Sequence, residues 1–379
     1  MHPSPRLFRK CGWGSALITL IILCLALLCV SCGFATGFEK AVKEGDDLAE
    51  DDQLMAAVTA YTEAVALDPS SAEVLNKRGM TYQALGQFQV AIMDFEAAIR
   101  LKPNFPDPYF NRGNSHRILG QPDWAIFYYT EAINLDPDLV GAYIYRGVSY
   151  RASGSPEEAI RDFTDAIRLA PEDPAIYGDR GNAYISLGEF VKAVNDFDLA
   201  VAAGATSSIT YYSRGNAKYY MGNLTGALED YNESIEREPN QTWAYNNRGL
   251  TYGDLGQLAK AIEDFDRAIE LDSEFGDAYL NRAETRKTQG LFSKALDDYN
   301  RAIVLEPTNA RTYAGRGLLF VRMNRLDEAE KDINRAVELG IPETAFLRTR
   351  EDIKTQRIGF QRALVSETAS TSSASDASK

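Results

Sequence analysis

A 34-residue period runs through most of this 379-residue chain, and few folds accommodate it. The phrases Tyr82-Gln-Ala-Leu-Gly86, Tyr150-Arg-Ala-Ser-Gly154, Tyr184-Ile-Ser-Leu-Gly188 and Tyr252-Gly-Asp-Leu-Gly256 recur at multiples of it. So do the triplets Ala91/Phe95/Ala98, Ala159/Phe163/Ala166, Ala193/Phe197/Ala200 and Ala261/Phe265/Ala268. Counted back from Pro69, nine copies run without insertion from Phe38 to Glu343. The first is the least regular, keeping Gly45, Ala57, Tyr61, Ala64 and Pro69. A unit this short buries its apolar face only against its neighbours, so the expected domain is a one-dimensional stack.

The recurring residues have physical reasons. Glycine inside a helix costs roughly 1 kcal/mol relative to alanine, yet position 8 is glycine in eight repeats, Gly79 and Gly147 among them. That cost makes sense if the missing side chain lets a second helix approach, with the alanines at positions 20 and 27 as its matching small surface. A second glycine series, Gly86 to Gly290, falls between the helices, where a left-handed C-cap is required. Pro103, Pro137, Pro171, Pro239 and Pro307 end second helices. A large residue at position 4, glycine at 8, tyrosine at 11, alanine at 20 and 27, an aromatic at 24 and proline at 32 together resemble the tetratricopeptide repeat. The resemblance implies an all-α fold: a right-handed superhelical solenoid of helix-turn-helix repeats, first helices lining a concave groove.

Position 7, commonly leucine in that family, is arginine here from Arg78 through Arg316, and position 23 is aspartate in seven repeats. The resemblance places these positions opposite each other across each hairpin. Planar guanidinium–carboxylate geometry then predicts an ion pair inside each repeat rather than a phosphate-binding ladder. Repeat 1 has Glu44 and Ala60 instead, and repeat 3 pairs Arg112 with Tyr128.

The groove of the family is lined by positions 2, 5, 6, 9, 12 and 13. These positions give an aromatic and aliphatic middle: Phe110, Ile144, Tyr145, Ile185, Ile209, Tyr212, Tyr219, Tyr220 and Trp243. Asn114, Asn182 and Asn216 at position 9 offer a donor and an acceptor each, suited to an extended peptide backbone. Arg117 and Arg151 add cations at position 12. The alternative is that the aromatics belong to the helix-packing core. The subclass that holds a C-terminal carboxylate is excluded, because its position-5 lysine is missing.

Residues 1–37 read as a signal peptide or membrane anchor with a short linker. Arg6, Arg9 and Lys10 precede an apolar run from Trp13 to Val30, just long enough to span a bilayer. The positive flank predicts that the rest of the chain lies on the non-cytoplasmic side, periplasmic or extracellular. Leu28-Cys29-Val30-Ser31-Cys32-Gly33 resembles a bacterial lipobox, with Cys29 where leucine is usual; the resemblance implies lipidation at Cys32. An uncleaved transmembrane helix and cleavage with release stay open. All four cysteines lie in the first 32 residues. After the array, Phe346, Ile353, Phe360 and Leu364 form one apolar stripe, read as a capping helix over 344–365, with a disordered Ser/Ala/Thr tail over 366–379.

A net charge of −14 argues against nucleic acid. There is no Walker loop, zinc spacing or nucleophile elbow, and His116 occupies an aromatic position of the repeat, so it reads as core rather than base. No enzyme, cofactor or metal is expected. Three readings remain: a membrane-tethered adaptor gripping a peptide or protein segment in assembly of a membrane or envelope complex, a self-associating homo-oligomeric structural protein, and a noncatalytic subunit of a separately encoded enzyme.

Overall fold

The computed structural model describes residues 36–358, and every regular element among them is helical. The chain divides into two compact units, Met1–Leu187 and Gly188–Lys379. In the first unit, hairpins pair α1 (36–50) with α2 (Leu54–Leu67), α3 (Ala72–Ala84) with α4 (Phe88–Leu101), α5 (Pro106–Ile118) with α6 (Pro122–Leu135) and α7 (Val140–Ala152) with α8 (Pro156–Leu169), followed by α9 (Pro174–Ser186). The second unit opens with α10 (Phe190–Ala202). It then pairs α11 (Ser208–Tyr220) with α12 (Leu224–Arg237), α13 (Thr242–Asp254) with α14 (Leu258–Leu271), α15 (Gly276–Thr288) with α16 (Phe292–Leu305) and α17 (Ala310–Arg322) with α18 (Leu326–Glu338). A 3-10 turn, Glu343–Phe346, leads into a last helix, α19 (347–358).

Each first helix of an interior repeat stops at a left-handed residue. At Gly86 (φ +73°), the Gln87 N–H donates to the Tyr82 carbonyl at 2.8 Å and the Gly86 N–H to the Gln83 carbonyl at 3.0 Å. That double closure satisfies carbonyls a helix end leaves orphaned. The first and last repeats use Asp52 (φ 59°) and Asn324 (φ 57°) at the same position, residue types that tolerate this conformation.

Position 8 serves the aromatic at position 24. A Cβ added at Gly79 would lie 2.6 Å from the Phe95 ring, which is fully buried between Ala91 and Ala98. Repeat 8 departs from this, with Ala283 at position 8. There the Tyr299 ring lies against Gly315 of the next repeat, where an added Cβ would be 2.7 Å away. Room lost on one first helix is recovered on the next.

The arginine–aspartate rungs form. In six repeats the arginine Nε and Nη2 donate to both oxygens of the aspartate, as at Arg248–Asp264 (2.8 and 2.7 Å) and Arg146–Asp162 (2.8 and 2.7 Å). The third arm of the guanidinium adds a second link. Nη1 reaches back to position 25 of the preceding repeat: Arg78 to Thr62 at 3.3 Å, Arg146 to Thr130 at 3.0 Å and Arg248 to Asn232 at 2.7 Å. Each of these six arginines therefore closes its own hairpin and ties it to its neighbour. Burial pushes the Asp162 and Asp264 carboxyls up, and their arginines pull them back. The desolvation penalty thus offsets much of the pairing, and the rung fixes register more than it adds net stability.

Phe346 and Ile353 are buried against Phe320, Ala329, Ile333 and Ala336, so the start of the C-terminal stripe caps the last hairpin. Phe360, Leu364 and the tail lie outside the described residues, as do the Trp13–Val30 run and Cys32. Among the described residues no helix is long and apolar enough to cross a membrane.

Candidate functional site

The first helices of the hairpins carry all the candidate binding residues, and the fold uses some of them internally. In the first unit the Phe110 ring packs 5.8 Å from Tyr129 and 6.0 Å from Tyr145, and both Phe110 and Ile144 join the core cluster around Phe163. For these two the core alternative describes the packing. Tyr145 keeps more than a third of its surface exposed, with the Arg117 guanidinium 4.9 Å above its ring. Arg117 Nε is buried without a hydrogen-bond acceptor among the described residues. Burial raises the Asp179 carboxyl and nearby Arg151 holds it back.

The position-9 asparagines divide according to the ring at position 24. Tyr129 Oη donates to Asn114 Oδ1 at 2.7 Å, and Tyr231 Oη to Asn216 Oδ1 at 2.8 Å. The same contact joins Tyr61 to Asp46 at 2.7 Å and Tyr299 to Glu284 at 2.5 Å. Wherever position 24 is tyrosine, position 9 therefore supplies an acceptor, because a buried hydroxyl needs one. Where position 24 is phenylalanine, position 9 is Met80, Val148 or Leu250, and once Asn182. Asn182 is then the asparagine of the three whose side chain forms no hydrogen bond among the described residues. One turn earlier on the same face of α9 is Gly178, where an added Cβ would meet nothing within 4 Å; Ile185, half-buried, continues that stripe.

In the second unit, Asn247 Nδ2 donates to Asn216 Oδ1 (2.9 Å) and Tyr212 Oη (3.1 Å), which fastens Tyr212 into the hairpin contact. Tyr219 donates to Asp254 at 2.7 Å, and burial with this carboxylate pushes its hydroxyl up to about 12. Three residues stay open: Ile209 at 56%, Tyr220 at 62% and Trp243 at 59% exposure. Tyr220 stacks on Phe190 (5.2 Å) beside a surface recess of about 320 Å³ lined by Phe190, Val191, Lys192 and Met221. Trp243 meets Phe275 edge-on at 5.0 Å.

Repeat 3 is built differently from the others. Tyr128 replaces the aspartate, and the Arg112 guanidinium lies 4.3 Å over its ring. His116 stacks on the other aromatics, 5.3 Å from Tyr128 and 6.0 Å from Trp124, with Nδ1 2.7 Å from Gln121 Oε1. Burial lowers its pKa, and Arg112 adds to this. A histidine held neutral by the fold stabilises it fully above the unfolded pKa of about 6.5, and that stability drains away as pH falls below it. His116→Phe keeps the stack and removes the titration. Its melting temperature should therefore fall less than that of the unaltered chain between pH 7.5 and 5; parallel curves would show that His116 does not titrate against the fold.

Tetratricopeptide-repeat profiles match residues 45–86, 72–105, 106–139, 146–208, 215–256, 242–275 and 310–339. Together they cover more than half of the chain, which belongs to the tetratricopeptide-repeat family. No curated protein sequence matches it. Among solved structures, a tetratricopeptide repeat protein from Parabacteroides merdae is 22% identical with a TM-score of 0.53, over 66% of this chain and 99% of that one. A chain of the APC/C hetero-tetramer Cut9–Hcn1 is 16% identical with a TM-score of 0.54, over 80% of this chain and 59% of that one. Both likenesses are of fold. Members of the family are typically non-catalytic, and the chain is a protein-interaction scaffold in that general sense. Among the described residues no three His, Cys, Asp or Glu side chains are grouped to hold a metal.

Proposed function

We propose that this chain is a membrane-tethered, non-enzymatic adaptor that grips an extended segment of another protein on its first-helix faces, in assembly of a membrane or envelope complex. The observation that carries the reading is the stripe Gly178–Asn182–Ile185. A glycine in mid-helix that no neighbouring side chain requires, one turn from an amide with both bonding groups unused, suits close approach of a peptide backbone. Exposed Tyr145 in the first unit, and Ile209, Tyr220 and Trp243 in the second, are anchors of the type that dominates protein interfaces. The tether rests on the basic residues before Trp13–Val30, with Cys32 as the lipid-bearing residue and the repeats on the non-cytoplasmic side.

Crosslinking and pull-down from membranes tests both parts. The unaltered chain should fractionate with membranes and capture a protein segment. Tyr220→Ala with Trp243→Ala, and separately Asn182→Ala, should abolish or weaken capture with helicity intact. Undiminished capture would move the site off these helices, and recovery of the chain from the soluble fraction would remove the tether. Capture of an enzyme whose activity needs this chain would favour the noncatalytic-subunit reading.

A further inference from the structure

Position 6 of a repeat lies where its first helix meets the first helix before it. In five repeats the residue there binds back across that contact. Lys77 Nζ donates to Asp46 Oδ2 at 2.7 Å, and Asn111 Nδ2 to Asn76 Oδ1 at 3.0 Å. Asn247 Nδ2 donates to Asn216 Oδ1 at 2.9 Å, and Asn281 Nδ2 to Asn246 Oδ1 at 3.0 Å. Tyr145 does the same with its ring, 4.9 Å from the Arg117 guanidinium. Asp179 of α9 departs from this pattern. Arg151, at position 12 of the repeat before, is the cation that acts on it, yet the Asp179 carboxylate forms no hydrogen bond or ion pair among the described residues. Asp173, at the N-cap of α9, is the other charge acting on it, and it repels. The three together leave one negative charge uncompensated. Burial pushes the Asp179 carboxyl up, so holding it ionised without a bonded donor costs free energy.

We infer that Asp179 sets the specificity of the α9 face by taking a lysine or arginine side chain of the gripped segment. The inference rests on the reading of α9 as a helix that grips an extended segment, and it names the chemistry of that segment. Gly178 stands next to Asp179, and a Cβ there would meet nothing within 4 Å. A peptide backbone can therefore come close enough to set its side chain on the carboxylate. Asn182, one turn from Gly178 on the same face, has its side-chain amide unused among the described residues and can hold that backbone. A cationic side chain brings the donors that Asp179 lacks, in charge-assisted hydrogen bonds. An apolar side chain would instead bury the carboxylate with no partner. An acidic one would meet Arg151 but also the repulsion of Asp173 and Asp179. Over longer range, a net charge of −14 draws a basic segment in and keeps an acidic one away.

Panning a library of random short peptides over the full chain in mild detergent tests this. Selected peptides should carry lysine or arginine at one fixed place. Replacing that residue by glutamine should weaken binding about tenfold or more, read by fluorescence polarisation. On the Asp179→Asn chain the basic and the glutamine peptides should bind alike. Asn182→Ala should weaken both peptides by the same factor, which separates loss of the backbone grip from loss of the cation. Should Asp179→Asn lose helicity, Arg151→Gln carries the test: with the neighbouring cation gone, the preference for the basic peptide should widen. Selected peptides with no basic preference would overturn the inference and leave the gripping reading in place. So would a preference that persists on Asp179→Asn or fails to widen on Arg151→Gln. If no selected peptide is sensitive to Asn182→Ala, the gripping reading falls and the inference falls with it.

Discussion

Asp264→Ala should destabilise the second unit by about 3–5 kcal/mol, the cost of leaving one member of a buried ion pair without the other. Arg248 has less than a fifth of its side chain exposed, and its Nε and Nη2 would lose both acceptors. The Nη1 bond to Asn232 would survive but neutralises nothing. Replacing both residues, Arg248→Leu with Asp264→Leu, should recover most of the loss, to within about 1 kcal/mol, because the desolvation penalty disappears with the pair. Urea unfolding of the two variants checks this. A single substitution costing under about 1 kcal/mol would place the pair in effective contact with solvent. A double variant worse than the single one would mean that the rung contributes net stability rather than register.

Gly79→Ala and Gly178→Ala are the same substitution in the same kind of helix, and should act in opposite directions. At Gly79 the new methyl would sit 2.6 Å from the Phe95 ring, which has no exposed side to move toward. Overpacking of about 1–3 kcal/mol outweighs the roughly 1 kcal/mol that alanine returns in helix propensity. At Gly178 nothing lies within 4 Å, so only the propensity gain remains, about 1 kcal/mol of added stability. Thermal or urea unfolding of both variants reads the difference. Equal effects would mean that the Phe95 ring yields, and that Gly79 is not held by packing. If the added methyl also weakens partner capture, the bare backbone at Gly178 is kept for a ligand at the expense of stability.

The repeats and their rungs were legible in the sequence because their cause is local and periodic. Arg248 and Asp264 stand 16 residues apart, as do their counterparts in six other repeats, and a fixed spacing within one hairpin becomes a fixed contact. The binding face was legible only in outline. Whether Asn114 or Asn182 is available depends on whether position 24 carries a hydroxyl, and that dependence appears only when the two helices are read together. The clue was present in the pairs Tyr61/Asp46, Tyr129/Asn114, Tyr231/Asn216 and Tyr299/Glu284. At position 8 the space left by glycine is taken by the ring at position 24 of the second helix, with the buried alanines at positions 20 and 27 of that helix beside it.

The backward reach of the arginines gives the array a recurring joint, which Arg112 makes more loosely, 3.7 Å from Glu96. Position 25 carries an oxygen at each of these joints, whether Thr62, Thr130, Thr164, Asp198, Asn232, Asp266 or Asn300. The terminal helix obeys the rule too: Arg350 of α19 donates to Asn334 at 2.8 Å, 16 residues back, as though one more repeat had begun. A gene built this way can lengthen by copying any whole unit, since the new seam needs no chemistry the old seams lack. Cutting the chain before Arg350 would instead strand Asn334, so the joint tolerates growth from within more readily than loss from the end.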